Sequence, residues 1–303
     1  MKQVRRLIVL SLLALLTAIV VVACNGGNGS TDRRIKVASK QFTEQYILGE
    51  MYAIMLEDRG FKVERKLSLG STPVIQAGLE NGEIDLYPEY TGTALTTVLK
   101  LPPSSNYQQV FDTVAKGYKE KYNLVWLSPA PMNNTWALAM TGEDAEKLGI
   151  KKISDLVDLA SELVLIGTST FEAREDGLPG LKQVYGNLEF KQIKVVDPGL
   201  RYKGLLDGQG DVVVAFGTDG EISAFNLVVL EDDKKFFPVY QVAPVVRQET
   251  LDKYPGMSDA LNSISPLLTD EVMQRLNYEV SGKQGEPADV AREFLIQQGL
   301  INN

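Results

Sequence analysis

The chain contains no histidine in 303 residues and a single cysteine, Cys24. The first absence removes Ser-His and Cys-His nucleophile pairs, histidine general bases and histidine-containing zinc sites. The second removes any disulfide within the chain. Neither a P-loop nor a Gly-x-Gly-x-x-Gly turn is present, so nothing cradles a nucleotide phosphate. Basic runs are also missing: Lys and Arg number 31 against 39 Asp and Glu, for a formal net charge of −8. A surface of this sign repels nucleic acid and anionic lipid headgroups, which argues against a nucleic-acid partner. Beyond Val22 no apolar run is long enough to span a bilayer. A carboxylate enzyme remains open, since 39 acidic residues allow a pair somewhere.

What is present begins with a leader. Lys2, Arg5 and Arg6 precede an apolar stretch over 7–22, and Ala23 stands directly before Cys24. A basic start, an apolar run of about 16 residues and a small residue before cysteine form the layout of a bacterial lipoprotein signal, cut before an acylated Cys24. The alternatives are an ordinary signal or an uncleaved membrane anchor. Residues 1–23 read as signal peptide and 24–33, rich in Gly, Asn and Ser, as a flexible tether. The folded body is then expected from Arg34, lipid-anchored on the extracytoplasmic face of the cell membrane, in the periplasm or at the cell surface.

That body alternates strand and helix. Residues 35–38 read as a strand, and a helix from Thr43 places Ile47, Met51, Ile54 and Met55 on one face before Gly60 ends it. Phe61, Val63, Arg65 and Leu67 alternate as a second strand; Ser71 or Thr72 opens a helix closed by Asn81-Gly82, and 84–87 reads as a third strand. Two βαβ units imply a mostly parallel sheet. The pattern restarts with strands over 135–140, 163–166, 193–196 and 211–216, then 244–246 and helices over 258–268, 270–280 and 287–298. Two α/β units account for this better than one long sheet.

An internal echo supports the division. The segment 79–93 can be laid on 205–219, matching Asn81-Gly82 to Asp207-Gly208, Asp85 to Asp211 and Tyr90 to Phe216. Either this is common βα-turn grammar, or two lobes present matching aromatics at the carboxyl ends of strands, where open α/β sheets bind ligands.

At these loops the chain resembles the substrate-binding proteins of ABC importers for glycine betaine, choline and related osmoprotectants. Its most specific stretches are Ser39-Lys40-Gln41-Phe42-Thr43-Glu44-Gln45, the segment 81–95, Phe216-Gly217-Thr218-Asp219-Gly220 and Phe236-Phe237-Pro238-Val239-Tyr240. The resemblance implies a two-lobed α/β periplasmic-binding-protein fold of type II with two inter-lobe crossovers. Lobe 1 would take 34–131 and 242–303, and lobe 2 132–241. It further implies a monomeric solute receptor, not an enzyme, that needs no cofactor and no metal and delivers its solute to an ABC permease in the membrane.

Matching motif to motif, the resemblance puts Tyr90, Trp136, Phe216 and Tyr240 at the positions of an aromatic cage. A trimethylammonium has no N–H to donate, so ring faces must hold it, by cation–π attraction. The family more often has tyrosine where this chain has Trp136 and Phe216. Lys40, Thr93 and Arg174 match the positions that grip a ligand carboxylate, and Asn134 adds a polar contact near the crossing. Each has a plainer alternative. The rings could be core residues, Lys40 an exposed loop lysine, Thr93 a helix cap, and Arg174 a surface ion pair with Glu172 or Glu175. Glycine betaine is the expected ligand; choline, carnitine or ergothioneine is the alternative, and a sensor reusing the fold or a carboxylate enzyme stand behind these.

Overall fold

The computed structural model describes residues 34–302 apart from Asn187. The leader, Cys24 and the tether lie outside the described residues. The chain first lays down β1 (Ile35–Ala38), α1 (Thr43–Asp58), β2 (Val63–Lys66), α2 (Thr72–Asn81) and β3 (Leu86–Tyr90). A polar helix, α3 (Tyr107–Tyr122), leads into β4 (Leu124–Trp126). A second run then follows: β5 (Trp136–Thr141), β6 (Val164–Gly167), α4 (Ser169–Ala173), α5 (Leu178–Tyr185), β7 (Gln192–Val195), α6 (Arg201–Leu206), β8 (Val212–Phe216), α7 (Gly220–Ala224) and β9 (Leu227–Val229). The chain returns through β10 (Val242–Arg247) and ends on α8 (Asp270–Ser281) and α9 (Pro287–Gln297).

These strands form two five-stranded sheets, β2-β1-β3-β10-β4 and β7-β6-β8-β5-β9. The architecture is therefore α/β and two-lobed, with the chain passing between sheets after β4 and again before β10. In the first lobe, α1, α8 and α9 bury one face of the sheet with Ile47, Met51, Phe294 and Leu295, while α2 and α3 cover the other with Ile75, Val114 and Tyr118. Helix α1 is buried well beyond the single face that its spacing suggests: Leu48, Gly49, Tyr52, Ala53 and Leu56 are enclosed too. The helix runs through the lobe's interior instead of along its surface.

The sheets are mixed, which corrects the expectation of mostly parallel pairing. Strands β1–β2, β1–β3, β6–β7 and β6–β8 are parallel, whereas β10 runs antiparallel to β3 and β4, and β5 antiparallel to β8 and β9. The antiparallel strands are those entered directly from a lobe crossing. A chain arriving from the other lobe enters its sheet from the end where the parallel strands finish. The third strand also runs further than its sequence suggests, through Pro88 to Tyr90. Proline is tolerated there because β3 meets β1 at the Val37–Leu86 register, before Pro88 is reached, and the Pro88 carbonyl accepts the Gln45 side-chain amide at 2.9 Å.

The internal echo is physical. Gly82 and Gly208 both take left-handed backbone, at φ 79° and 68°. The Asp85 carboxylate accepts the Lys36 N–H of β1 at 2.8 Å, and the Asp211 carboxylate accepts the Val164 N–H of β6 at 2.7 Å. Each aspartate also donates its own backbone N–H to the carbonyl of that same residue, at 2.9 Å. This pins β3 to β1 and β8 to β6 in matching registers. Tyr90 and Phe216 become the last residues of equivalent strands.

Candidate functional site

The carboxyl ends of the parallel strands in both lobes open on one cavity of about 700 Å³. All eight residues anticipated for ligand binding line it: Lys40, Tyr90, Thr93, Asn134, Trp136, Arg174, Phe216 and Tyr240. Tyr90 and Thr93 come from the end of β3 and the turn after it, Lys40 from the link between β1 and α1. Trp136 opens β5 and Phe216 closes β8; the two are register partners across the antiparallel pair. Their rings therefore stack, with centroids 4.4 Å apart and planes at 23°, and Phe171 meets the edge of Trp136 at 5.2 Å. In this conformation the two rings form one aromatic wall in lobe 2. Tyr90 is backed by Phe42, stacked at 6.2 Å.

Tyr240 sits on the return crossing. Its backbone N–H donates to Asn133 Oδ1 at 2.7 Å, and its carbonyl accepts the Asn134 N–H at 3.2 Å, so the two crossings are bonded side by side. Gly92 lets the turn after β3 press against this crossing: a Cβ there would lie 2.4 Å from the Val239 carbonyl oxygen and 2.8 Å from the Tyr240 ring.

The charged residues are already matched. Lys40 is no exposed loop lysine: it is buried, its Nζ pairs with the fully buried Glu89 at 2.5 Å and stands 5.1 Å from the Tyr90 ring centroid. Arg174 is half-exposed and grips neither Glu172 nor Glu175; it makes a bidentate pair with Asp176. The Tyr240 hydroxyl donates to the same aspartate at 3.2 Å. Burial pushes the Asp176 carboxyl up, but the bonds and charge of Arg174 outweigh it and hold the group below its usual range. Arg201, buried at the cavity wall, donates to the Val214 carbonyl at 2.6 Å and to Asp219 at 3.2 Å, and its guanidinium lies 5.6 Å from the Phe216 centroid.

Reading the motifs missed Glu44, Asn277, Arg201 and Asp219. Glu44 lines the cavity and is buried, with Oε1 accepting from the Tyr90 hydroxyl at 2.6 Å and Asn134 Nδ2 at 2.8 Å, and Oε2 from Asn277 Nδ2 at 3.0 Å. Burial raises its pKa, countered in part by bonds from Thr218, Tyr90, Asn277 and Asn134. Burial, then the Glu44 charge, raises the Tyr90 phenol well above its ordinary value. Glu44 and Asp219 stood inside recognisable motifs, where a carboxylate beside a cation site was a legible signal. Asn277 carried none, since it lies 233 positions from its partner.

An aromatic-walled cleft between two α/β lobes with paired crossings defines a solute-binding protein of the periplasmic type. The comparisons carry this further. Residues 33–297 match the family described as the substrate binding domain of ABC-type glycine betaine transport system. A glycine-betaine-binding protein of Pseudomonas aeruginosa PAO1 is 37% identical over 284 residues, covering 89% of each chain. The ergothioneine transport permease/ergothioneine binding protein EgtU of Helicobacter pylori G27 is also 37% identical, over 90% of this chain; the chain spans only 49% of that relative's length. The crystal structure of a glycine betaine/carnitine/choline ABC transporter superposes with a TM-score of 0.84 at 32% identity, over 88% of this chain and all of the other. The chain belongs to this family: it is an extracytoplasmic substrate-binding protein of a glycine betaine-class ABC importer, and not an enzyme.

Proposed function

We propose that the cavity captures a small quaternary-ammonium zwitterion, with glycine betaine as the first candidate. Tyr90, Trp136, Phe216 and Tyr240 would surround the ammonium, each desolvated ring contact contributing about 2 kcal/mol. Lys40, Thr93 and Arg174 would meet the carboxylate, and Asn134 would add a polar contact. The observation that carries this reading is that all eight side chains, drawn from positions 40 to 240, line one cavity. Relatives that bind glycine betaine, carnitine and ergothioneine support the ligand class. Lobe boundaries at 131/132 and 241/242 fit the two sheets.

One observation favours a second reading. Lys40 and Arg174 are each already paired with a protein carboxylate, so a purely cationic ligand such as choline needs no exchange of partners. Calorimetric titration with glycine betaine, carnitine, choline and ergothioneine decides between them. Tightest binding of a zwitterion supports the first reading, tightest binding of choline the second, and no binding of any rejects both.

The cleft is tethered through a lipid on Cys24 in this reading. Cys24→Ser is then expected to move the protein from the membrane fraction to the soluble fraction with ligand affinity unchanged. An unprocessed chain that stays with the membrane would indicate a spanning anchor.

A further inference from the structure

The cavity's cations and anions do not match one for one. Lys40 is paired with Glu89, Arg174 with Asp176 and Arg201 with Asp219. Two lining carboxylates are left over, Glu44 and Glu221, and of these Glu44 is the buried one. Among the described residues it is the buried acid with no cationic partner: its oxygens receive hydrogen bonds from the Tyr90 hydroxyl and from Asn134 and Asn277, all neutral. Glu50, the other buried acid on the same helix, is paired with Arg65 at 2.8 Å. Isolated buried charge is costly, and neutral donors offset only part of that cost. A fold retains it where another charge completes the site.

We infer that Glu44 is the counter-charge of the ligand's ammonium, set behind the aromatic cage and acting both directly and through Tyr90. This rests on the reading that the cavity binds a trimethylammonium compound. The path through Tyr90 is geometric. A phenol donating to a carboxylate at 2.6 Å gains electron density, which deepens the negative potential of the ring face that a cation meets. A cation already stands against this ring, the Lys40 ammonium at 5.1 Å from its centroid. The direct path works because the low-polarity surroundings weaken screening between Glu44 and a cation in the same cavity. The remaining acid at the wall, Glu221, is only partly buried and has Asp219 and Arg201, of opposite charge, beside it. The neutral donors, Tyr90, Asn134, Asn277 and Thr218, fix the carboxylate in place and bring no positive charge of their own, so the site is preorganised before the ligand arrives.

Glu44→Gln tests this, because glutamine keeps the shape. Its amide nitrogen can donate to Asn134 once that side-chain amide turns its Oδ1, which has no partner here, toward it. The probes are choline and 3,3-dimethylbutan-1-ol, the same shape with carbon in place of the charged nitrogen. The variant is expected to lose about tenfold or more of the preference for choline over the alcohol, while the ligand-free protein unfolds at the same or a higher temperature. Loss of both probes together with a lower unfolding temperature would mean that Glu44 is structural. An unchanged preference in a folded variant would overturn the inference and leave the ligand class standing. Failure of the wild type to bind choline or any other trimethylammonium compound would instead overturn the ligand class. If the variant does not fold, the wild-type preference is read as pH falls. It should decline as Glu44 takes up its proton, and a flat ratio down to pH 4 would overturn the inference.

Discussion

Arg174 shows how a single residue can hold two commitments. Its fork is closed on Asp176, and Asp176 also receives the Tyr240 hydroxyl, so arginine, aspartate and one ring of the proposed cage form a small network at the cavity wall. A ligand carboxylate must share or displace that aspartate, and a bidentate guanidinium bond of this type contributes about 1.5–3 kcal/mol. Arg174→Ala is therefore expected to weaken glycine betaine by about that amount. It should leave choline unchanged or improved, because Asp176 then adds an unmatched negative charge. Calorimetry with the two ligands checks this; equal losses for both would assign Arg174 to support of the wall. At this scale the sequence was legible wherever a motif prescribed a residue type, as for the four rings and for Lys40. It was illegible wherever identity depends on a partner far along the chain. Glu89 for Lys40 and Asn277 for Glu44 lie 49 and 233 positions away, and no local pattern marks either.

Among the elements, the site depends on two strands ending at the same height. The device is the repeated aspartate: Asp85 ties β3 to β1 and Asp211 ties β8 to β6 through backbone N–H groups at 2.8 and 2.7 Å. Removing either carboxylate leaves a strand N–H unpaired. Asp85→Ala and Asp211→Ala are each expected to destabilise the protein by about 1.5–3 kcal/mol in urea unfolding, with ligand affinity changing little once folding is complete. A variant that keeps full stability would show that the echo is turn grammar without structural weight. The echo, the parallel strands and their connecting helices were legible because period and punctuation are local. Strand direction at β5 and β10 was not, since it follows from which lobe the chain has just left. Helix α3 gave only a narrow signal: Val110, Val114 and Tyr118 are its buried residues, four apart, with Phe111, Ala115 and Tyr122 partly buried beside them.

For the whole molecule, the question is what holds the lobes at the angle where both meet a ligand. Beyond the two crossings there is a third link, between α8 of the first lobe and the turn after β8 of the second. Gln274 Nε2 donates to the Gly217 carbonyl and Asn277 Nδ2 to the Thr218 carbonyl, each at 2.7 Å. Gly220 permits this approach, because a Cβ there would lie 2.6 Å from the Tyr278 nitrogen and 2.8 Å from its Cα. The obstacle is backbone, which cannot swing aside as a side chain would, so Gly220→Ala must push the turn off α8 or bend it. The ligand stabilises whichever lobe arrangement makes the most contacts with it, and pays for any arrangement the protein has been wedged away from. Gly220→Ala is thus expected to raise Kd by about tenfold, equivalent to about 1.4 kcal/mol, although Gly220 offers the ligand no side chain. Small-angle scattering should show a ligand-free radius of gyration at or above the wild-type value, and a smaller contraction when ligand is added. Wild-type affinity and contraction in the alanine variant would show that the α8 contact merely follows the lobes, and that the crossings alone set the angle.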